Sequence, residues 1–216
     1  MSHRYAEGIK VVWKNELDHD SNTLGKEEGI ISSAINHPAR KLHFELGRQA
    51  LKEALCVVGF QGDLDLARGE KGEPILPPGY CGSITHSKNT AVAAAASKSE
   101  IIGLGLDIEH KDRFLSENTN KAIAGEKEIS WILAHGGNER KLMLVSAKEA
   151  LYKMLYPICK VYFGMLDAEL TWEEESSSFR ALLLKDLSSE FPRGSEYKIH
   201  TSIQNEFIVS LACLNA

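Results

Sequence analysis

The sequence lacks most of the features that mark secreted, membrane or nucleic-acid-binding chains. Its four cysteines, Cys56, Cys81, Cys159 and Cys213, lie far apart and form no CxxC or zinc-type pair. That spacing argues for free thiols in a reducing compartment, against a disulfide framework or a structural zinc. No apolar run approaches the roughly 20 residues needed to span a bilayer. The N-terminal stretch MSHRYAEGIKVVWKNELDHD carries charges throughout and has no signal-peptide core. A cytoplasmic protein with no membrane contact is therefore expected. Basic residues are not in excess: 25 Lys and Arg against 30 Asp and Glu leave a net charge of −5. This speaks against a general nucleic-acid binder but permits a local basic pocket. Repeats and low-complexity tracts are also missing. What remains is an ordinary globular composition, 43% hydrophobic over 216 residues, enough for one large domain or two of roughly 100 residues each.

Residues 9–14 read as a first strand, and the polar stretch HDSNTLGKEEG after it reads as a loop. Segment 38–58 reads as a helix with a proline in its first turn. Leu42, Leu46, Ala50, Leu51, Ala54, Leu55 and Val58 make one buried stripe, and Lys41, Glu45, Arg48 and Lys52 fall on the opposite, polar side. Residues 67–79 form a glycine and proline loop, followed by strand-like runs at 81–87, 90–97 and 101–109. Helices are expected at 119–134 and 139–156, then strands at 166–172, 179–184, 197–203 and 206–214. This is an α+β pattern in which each half supplies strands and a long helix. The polar SKSE turn divides it into residues 1–99 and 100–216.

Asp107 and Glu109 close the apolar run IIGLGLDIE. In a strand, residues two apart share a face about 7 Å apart, and two carboxylates so placed repel unless a cation or proton intervenes. The plain alternative is a strand end with its charges in water. Glu149 and Lys153, in VSAKEALYK, share a helical face and taken alone read as a surface salt bridge. Carboxylates brought together would suit a hard octahedral cation such as magnesium beside a diphosphate. For a polyphosphate, the first half offers Arg48, Lys71 in the loop GEKGEP, and His86 after Ser83-Ile84-Thr85. Each of these alone is more simply a solvated or structural residue.

The order of the pieces is more specific than any one of them. GRQALKEAL, GEKGEPILP, GSITHS, GLDIE, SAKEALYK and YPICKVYFGMLDAELTW together resemble the 4′-phosphopantetheinyl transferases. The likeness is closest to the branch containing the enterobactin-synthetase component D enzymes and the mycobacterial carrier-protein activators, and it covers roughly residues 38–175.

The resemblance implies a pseudo-dimer of two similar α+β halves with the active site in the cleft between them. Residues 1–99 would bind coenzyme A, and 100–216 would carry the metal and the catalysis. It implies Asp107, Glu109 and Glu149 as magnesium ligands, manganese being an acceptable substitute, with Glu149 also the general base. Lys153, His86 and Thr85 would meet the coenzyme phosphates. Arg48 and Lys71 would meet its nucleotide end, with Arg40 or Lys41 assisting. The implied reaction moves the phosphopantetheine arm of coenzyme A onto a serine of an apo acyl or peptidyl carrier protein and releases 3′,5′-ADP. A monomer is expected, and Arg40, Lys41, Arg113 and Lys160 are offered for docking an acidic carrier. Two rivals are a magnesium-dependent phosphohydrolase and a non-catalytic coenzyme A-binding module. The chain departs from the family pattern at Val145, where an aromatic residue is common, and at His43, where this branch often has a glutamate.

Overall fold

In the computed structural model, which describes residues 7–69, 72–134 and 136–216, the chain forms two compact units. One reaches to Leu104 and takes in Asn215–Ala216; the other is Gly105–Leu214. The change from one unit to the other falls inside a strand, and the SKSE segment is the turn before that strand.

The first unit packs helix α2 (Pro38–Val57) on a sheet of three strands, β1 (Lys10–Asn15), β2 (Tyr80–Ser87) and β3 (Thr90–Ser97). The sheet is antiparallel in the order β1-β3-β2. Proline opens α2, where its missing N–H costs nothing. Leu46, Ala50, Leu51, Ala54 and Leu55 of the expected stripe are all completely buried. Positions four apart on α2 meet positions two apart on β2. His43 stacks on His86, a Cβ on Gly47 would stand 2.7 Å from Ile84 Cγ2, and Leu51 lies over Gly82.

The opposite face of α2 is not the solvated surface that its charges imply. Glu45 and Arg48 are buried, at 4% and 2% exposure. The cover is segment 16–33, of which residues 19–29 read from sequence as loop; it contains a helix, α1 (Lys26–Ser33). Glu45 accepts from Ser32 Oγ and is hydrogen-bonded to His19 Nε2. Gln49 Nε2 donates to Asp20 O at 2.6 Å, and Lys52 Nζ to Glu28 Oε2 at 2.6 Å. Helix α1 is short; Gly25 N donates to Glu28 Oε2 at 2.8 Å, and a second cap is remote. Asp65 Oδ2 and Oδ1 accept from the amides of Glu27 and Glu28 at 2.8 and 3.1 Å, and those amide bonds hold the Asp65 carboxyl below its ordinary pKa.

The second unit is built on a five-stranded sheet, with the order β4 (Ile101–His110), β8 (Phe207–Asn215), β7 (Glu196–Gln204), β6 (Ser178–Leu183) and β5 (Ala168–Glu173). The ladder from β5 to β8 is antiparallel. The helix expected at 119–134 is interrupted, giving α3 (Asn120–Ile123) and α4 (Glu126–Ala134). The break falls at Gly125, whose amide donates to Glu128 Oε2 at 2.7 Å and so caps the second piece. Helix α5 (Asn138–Cys159) packs over the sheet, with Leu142, Leu151, Met154 and Leu155 in a core shared with Phe179, Ile199 and Ile208. Val145, in place of an aromatic residue, is itself buried.

Removing the shared acceptor under α2 tests whether this covered face stabilises the first unit. Glu45→Ala leaves Ser32 and His19 without their partner, and we expect a loss of about 1–3 kcal/mol in urea denaturation. An unchanged midpoint would show that the α1 cover contributes nothing.

Candidate active site

The site grows from one missing atom. Gly105 sits in β4 where a Cβ would stand 1.9 Å from Ala150 O and 2.6 Å from Met154 N. Both obstacles are helix backbone and cannot rotate away, so only glycine lets α5 lie this close to β4. Three hydrogen bonds cross the resulting seam. Ser146 Oγ donates to Asp107 O at 3.3 Å. Lys153 Nζ donates to Leu106 O at 3.2 Å and to Asp107 Oδ1 at 2.7 Å. Asp107 on the strand is thereby fixed against the helix that carries Glu149.

Asp107 and Glu109 are both buried, at 6% and 7% exposure, so the solvated strand end is not what forms. Glu109 Oε1 is paired with Arg113 Nη1. Even so, burial pushes the Glu109 carboxyl above its ordinary pKa, opposed by Arg113 and reinforced by the charge of Asp107. Glu149 is half-buried on α5, and burial raises its carboxyl too, with Lys153 opposing and Asp107 reinforcing. Lys153 is not simply half of a surface pair with Glu149; its short contact is to Asp107 across the seam. Asp107 and Lys153 therefore act on both Glu109 and Glu149.

All the acidic donors are carboxylate oxygens, the chemistry that suits a hard divalent cation. Among the described residues, however, no three His, Cys, Asp or Glu side chains stand together as a ready metal cluster. Asp107 and Glu109 each face a basic side chain.

A pocket of about 170 Å³ opens beside Glu149, lined mainly by Tyr152, Tyr162, Phe163, Gly164 and Met165. The ring of Tyr152 stacks on Tyr156 at 5.1 Å and meets Phe163 at 5.2 Å. Lys148, in the same motif as Glu149, also borders the pocket but is 3% exposed. Its ammonium donates to Ile123 O, Glu128 and Met165 O at 2.8, 2.9 and 2.7 Å, which ties α3, α4 and the pocket wall to α5.

In the first unit the predicted residues separate. Thr85 and His86 are neighbours on β2 and project from opposite faces of the sheet. Thr85 is buried, while exposed His86 stacks on His43 with ring centroids 4.2 Å apart. The ring of His43 bonds Lys88 O at the β2–β3 turn. Arg48 lies over the Phe44 ring, 5.1 Å from its centroid. Burial depresses its pKa, against the pull of Glu28, and its Nη1 has no hydrogen-bond partner among the described residues. Arg40 and Lys41 are exposed at the start of α2. Lys71 lies outside the described residues. Sequence reasoning missed Arg113 as a partner of Glu109, because a four-residue spacing signals contact on a helix and here spans a strand end and a turn.

Comparison with known proteins bears on the chemistry. Residues 26–96 match the family model "4'-phosphopantetheinyl transferase N-terminal domain", and residues 103–212 match "4'-phosphopantetheinyl transferase superfamily". The chain is 29% identical over 172 residues to the 4'-phosphopantetheinyl transferase Npt of Nocardia iowensis, covering 79% of this chain and 76% of that protein. It is 30% identical over 158 residues to PptT, the 4'-phosphopantetheinyl transferase of Mycobacterium tuberculosis, covering 72% and 68%. Among solved structures, the holo-[acyl-carrier-protein] synthase of Thermotoga maritima is similar, with a TM-score of 0.37 and 20% identity over 53% of this chain and 63% of that one.

The seam is tested by restoring the missing carbon. Gly105→Ala forces α5 off β4 and should cost about 1–3 kcal/mol or more. Gly29→Ala, in the middle of α1 with open space where the Cβ would stand, should stabilise by about 0.5–1 kcal/mol. Equal unfolding midpoints for the two variants would contradict the close approach.

Proposed function

The chain belongs to the 4′-phosphopantetheinyl transferase superfamily, and from that premise we propose that it moves the phosphopantetheine arm of coenzyme A onto a serine of an apo acyl or peptidyl carrier protein. The observation that carries the site assignment is the β4–α5 seam, where Lys153 pairs with buried Asp107 and both act on Glu109 and Glu149.

In this mechanism the carrier serine oxygen attacks the phosphorus bearing the pantetheine arm. A new P–O bond forms, the bond to the bridging oxygen breaks, and 3′,5′-ADP leaves. Glu149, half-buried on α5, accepts the serine proton as general base. Lys153 faces the leaving diphosphate, where its charge offsets the negative charge that grows on the departing oxygen. Asp107, Glu109 and Glu149 would hold a magnesium ion, for which manganese substitutes, and that ion supplies neutralisation of the diphosphate. His86, Thr85, Arg48 and Lys71 are assigned to the coenzyme phosphates and nucleotide end, with Arg40 or Lys41 assisting. His86 is exposed, whereas Arg48 is deeply buried and its Nη1 has no hydrogen-bond partner among the described residues.

The pocket beside Glu149 is largely aromatic and apolar, which suits a flexible amide-containing arm better than a second phosphate. We assign it to the pantetheine arm. Among the described residues no helix is long and apolar enough to cross a membrane. Unpaired cysteines support a cytoplasmic protein. One chain supplies both α+β units, which supports a monomer.

The decisive experiment is incubation with coenzyme A, magnesium and a panel of apo carrier proteins, read by intact-protein mass. A gain of one phosphopantetheine on a carrier is expected. Nucleotide cleavage without any carrier modification would replace this proposal with a phosphohydrolase. Asp107→Ala should abolish transfer while circular dichroism is retained, and near-normal turnover would remove Asp107 from the site. Glu149→Gln should reduce kcat far more than coenzyme binding; equal losses in both would count against its role as base. Tyr152→Ala should raise KM for coenzyme A by roughly ten-fold, the scale of one lost aromatic contact, and leave affinity for 3′,5′-ADP unchanged.

A further inference from the structure

We propose that Arg113 is an internal competitor of the divalent cation: its guanidinium holds Glu109 in the metal-free chain and must be displaced before Glu109 can serve as a ligand. The inference rests on the metal assignment made above for Asp107, Glu109 and Glu149 and concerns what the chain does before the ion arrives.

Three observations carry it. Glu109 is almost fully buried, yet its carboxylate is paired with Arg113 Nη1, a side chain half exposed to water. A carboxylate oxygen engaged by a guanidinium is not available to a cation, and the described residues accordingly present no gathered metal cluster. The turn that carries Arg113 is also built to stay where it is. Arg113 N donates to His110 O at 2.9 Å. Asn138 Nδ2, at the start of α5, donates to Arg113 O at 2.8 Å, and Asn138 Oδ1 accepts from Leu115 N at 3.0 Å. Lys111 N is held by Glu206 O at 2.9 Å. With its backbone pinned at both ends, Arg113 reaches Glu109 without ordering a loop.

The charges facing Glu109 make the competition physical. Asp107 disfavours its ionised form, while Arg113 and Lys153 favour it. Asp107 is in turn engaged by Lys153. Two buried acids are thus neutralised by two bases of the same chain. An arriving cation takes over the task of Arg113, whose half-exposed head can swing into water. Lys153 is more enclosed and remains beside the site. Arg113 should therefore weaken metal affinity while stabilising the metal-free protein.

The test is manganese binding by the full chain without substrate, followed by electron paramagnetic resonance. Arg113→Gln should bind Mn²⁺ roughly five-fold more tightly than wild type, the scale of one partly exposed ion pair. Its metal-free melting temperature should fall, and its manganese-loaded one should approach that of wild type. Arg113→Lys keeps the charge and should stay closer to wild type in affinity than Arg113→Gln does. In the wild-type chain, Mg²⁺ titration should move the Arg113 Nε–H resonance towards that of a solvated guanidinium. Unchanged or weaker manganese binding in Arg113→Gln, or an unmoved Arg113 signal while metal binds, overturns the competition. The underlying metal assignment fails separately, and takes this inference with it, if wild type binds no Mn²⁺ or if Asp107→Asn binds it as well as wild type.

Discussion

The distance between helix α5 and strand β4 governs the second unit. A strand repeats its faces every two residues and a helix every three to four. The two can exchange side-chain contacts along several positions only where their backbones come very close. Gly105 removes the one carbon that would keep them apart. Ser146, Ala150 and Lys153 then meet Asp107, Gly105 and Leu106 along a single line. Asp107 acquires Lys153 from that approach, whereas Glu109 is met by Arg113 of the turn that follows β4. A wider spacing would admit water between helix and strand, and the burial that raises the Glu109 and Glu149 carboxyls would be lost.

Much of the architecture was legible because it repeats with a regular period. The apolar run IIGLGLDIE forms a strand, and five of the seven residues in the α2 stripe are fully buried, with Leu42 and Val58 at its ends only partly covered. Failures occurred where the stabilising partner is distant in sequence. Helix α1 is capped by Asp65 and covers Glu45 and Lys52. The only local signal, Gly25 followed three residues later by Glu28, sits in a polar stretch without apolar periodicity, so the helix looked like loop and the charges beneath it looked solvated. The break between α3 and α4 had a local signal, Gly125 followed three residues later by Glu128, and it was outweighed by the apolar periodicity on either side.

For the site the balance is similar. That Asp107 and Glu109 share a face follows from strand geometry alone. That Glu149 joins them depends on a helix packing that only the order of motifs hinted at, through likeness to known transferases. The direction of Lys153, towards Asp107, and of Arg113, towards Glu109, lay beyond any spacing rule. Side chains of this length choose among several carboxylates by tertiary distance, and sequence separation says little about which one they reach. The opposite faces taken by Thr85 and His86 were open to prediction, since adjacent strand residues always diverge.

The ammonium of Lys148 has a further consequence. It fastens Met165, the close of α3 and Glu128 to one point on α5, and Glu128 in turn receives the amide of Leu170 at 2.8 Å. The main chain flanking Tyr162 and Phe163 is therefore fixed independently of what those rings do. Such an arrangement lets the lining be exchanged residue by residue, with shape and greasiness drifting between descendants, while the frame that presents Glu149 stays put. The shape of the hollow is thereby uncoupled from the placement of Glu149.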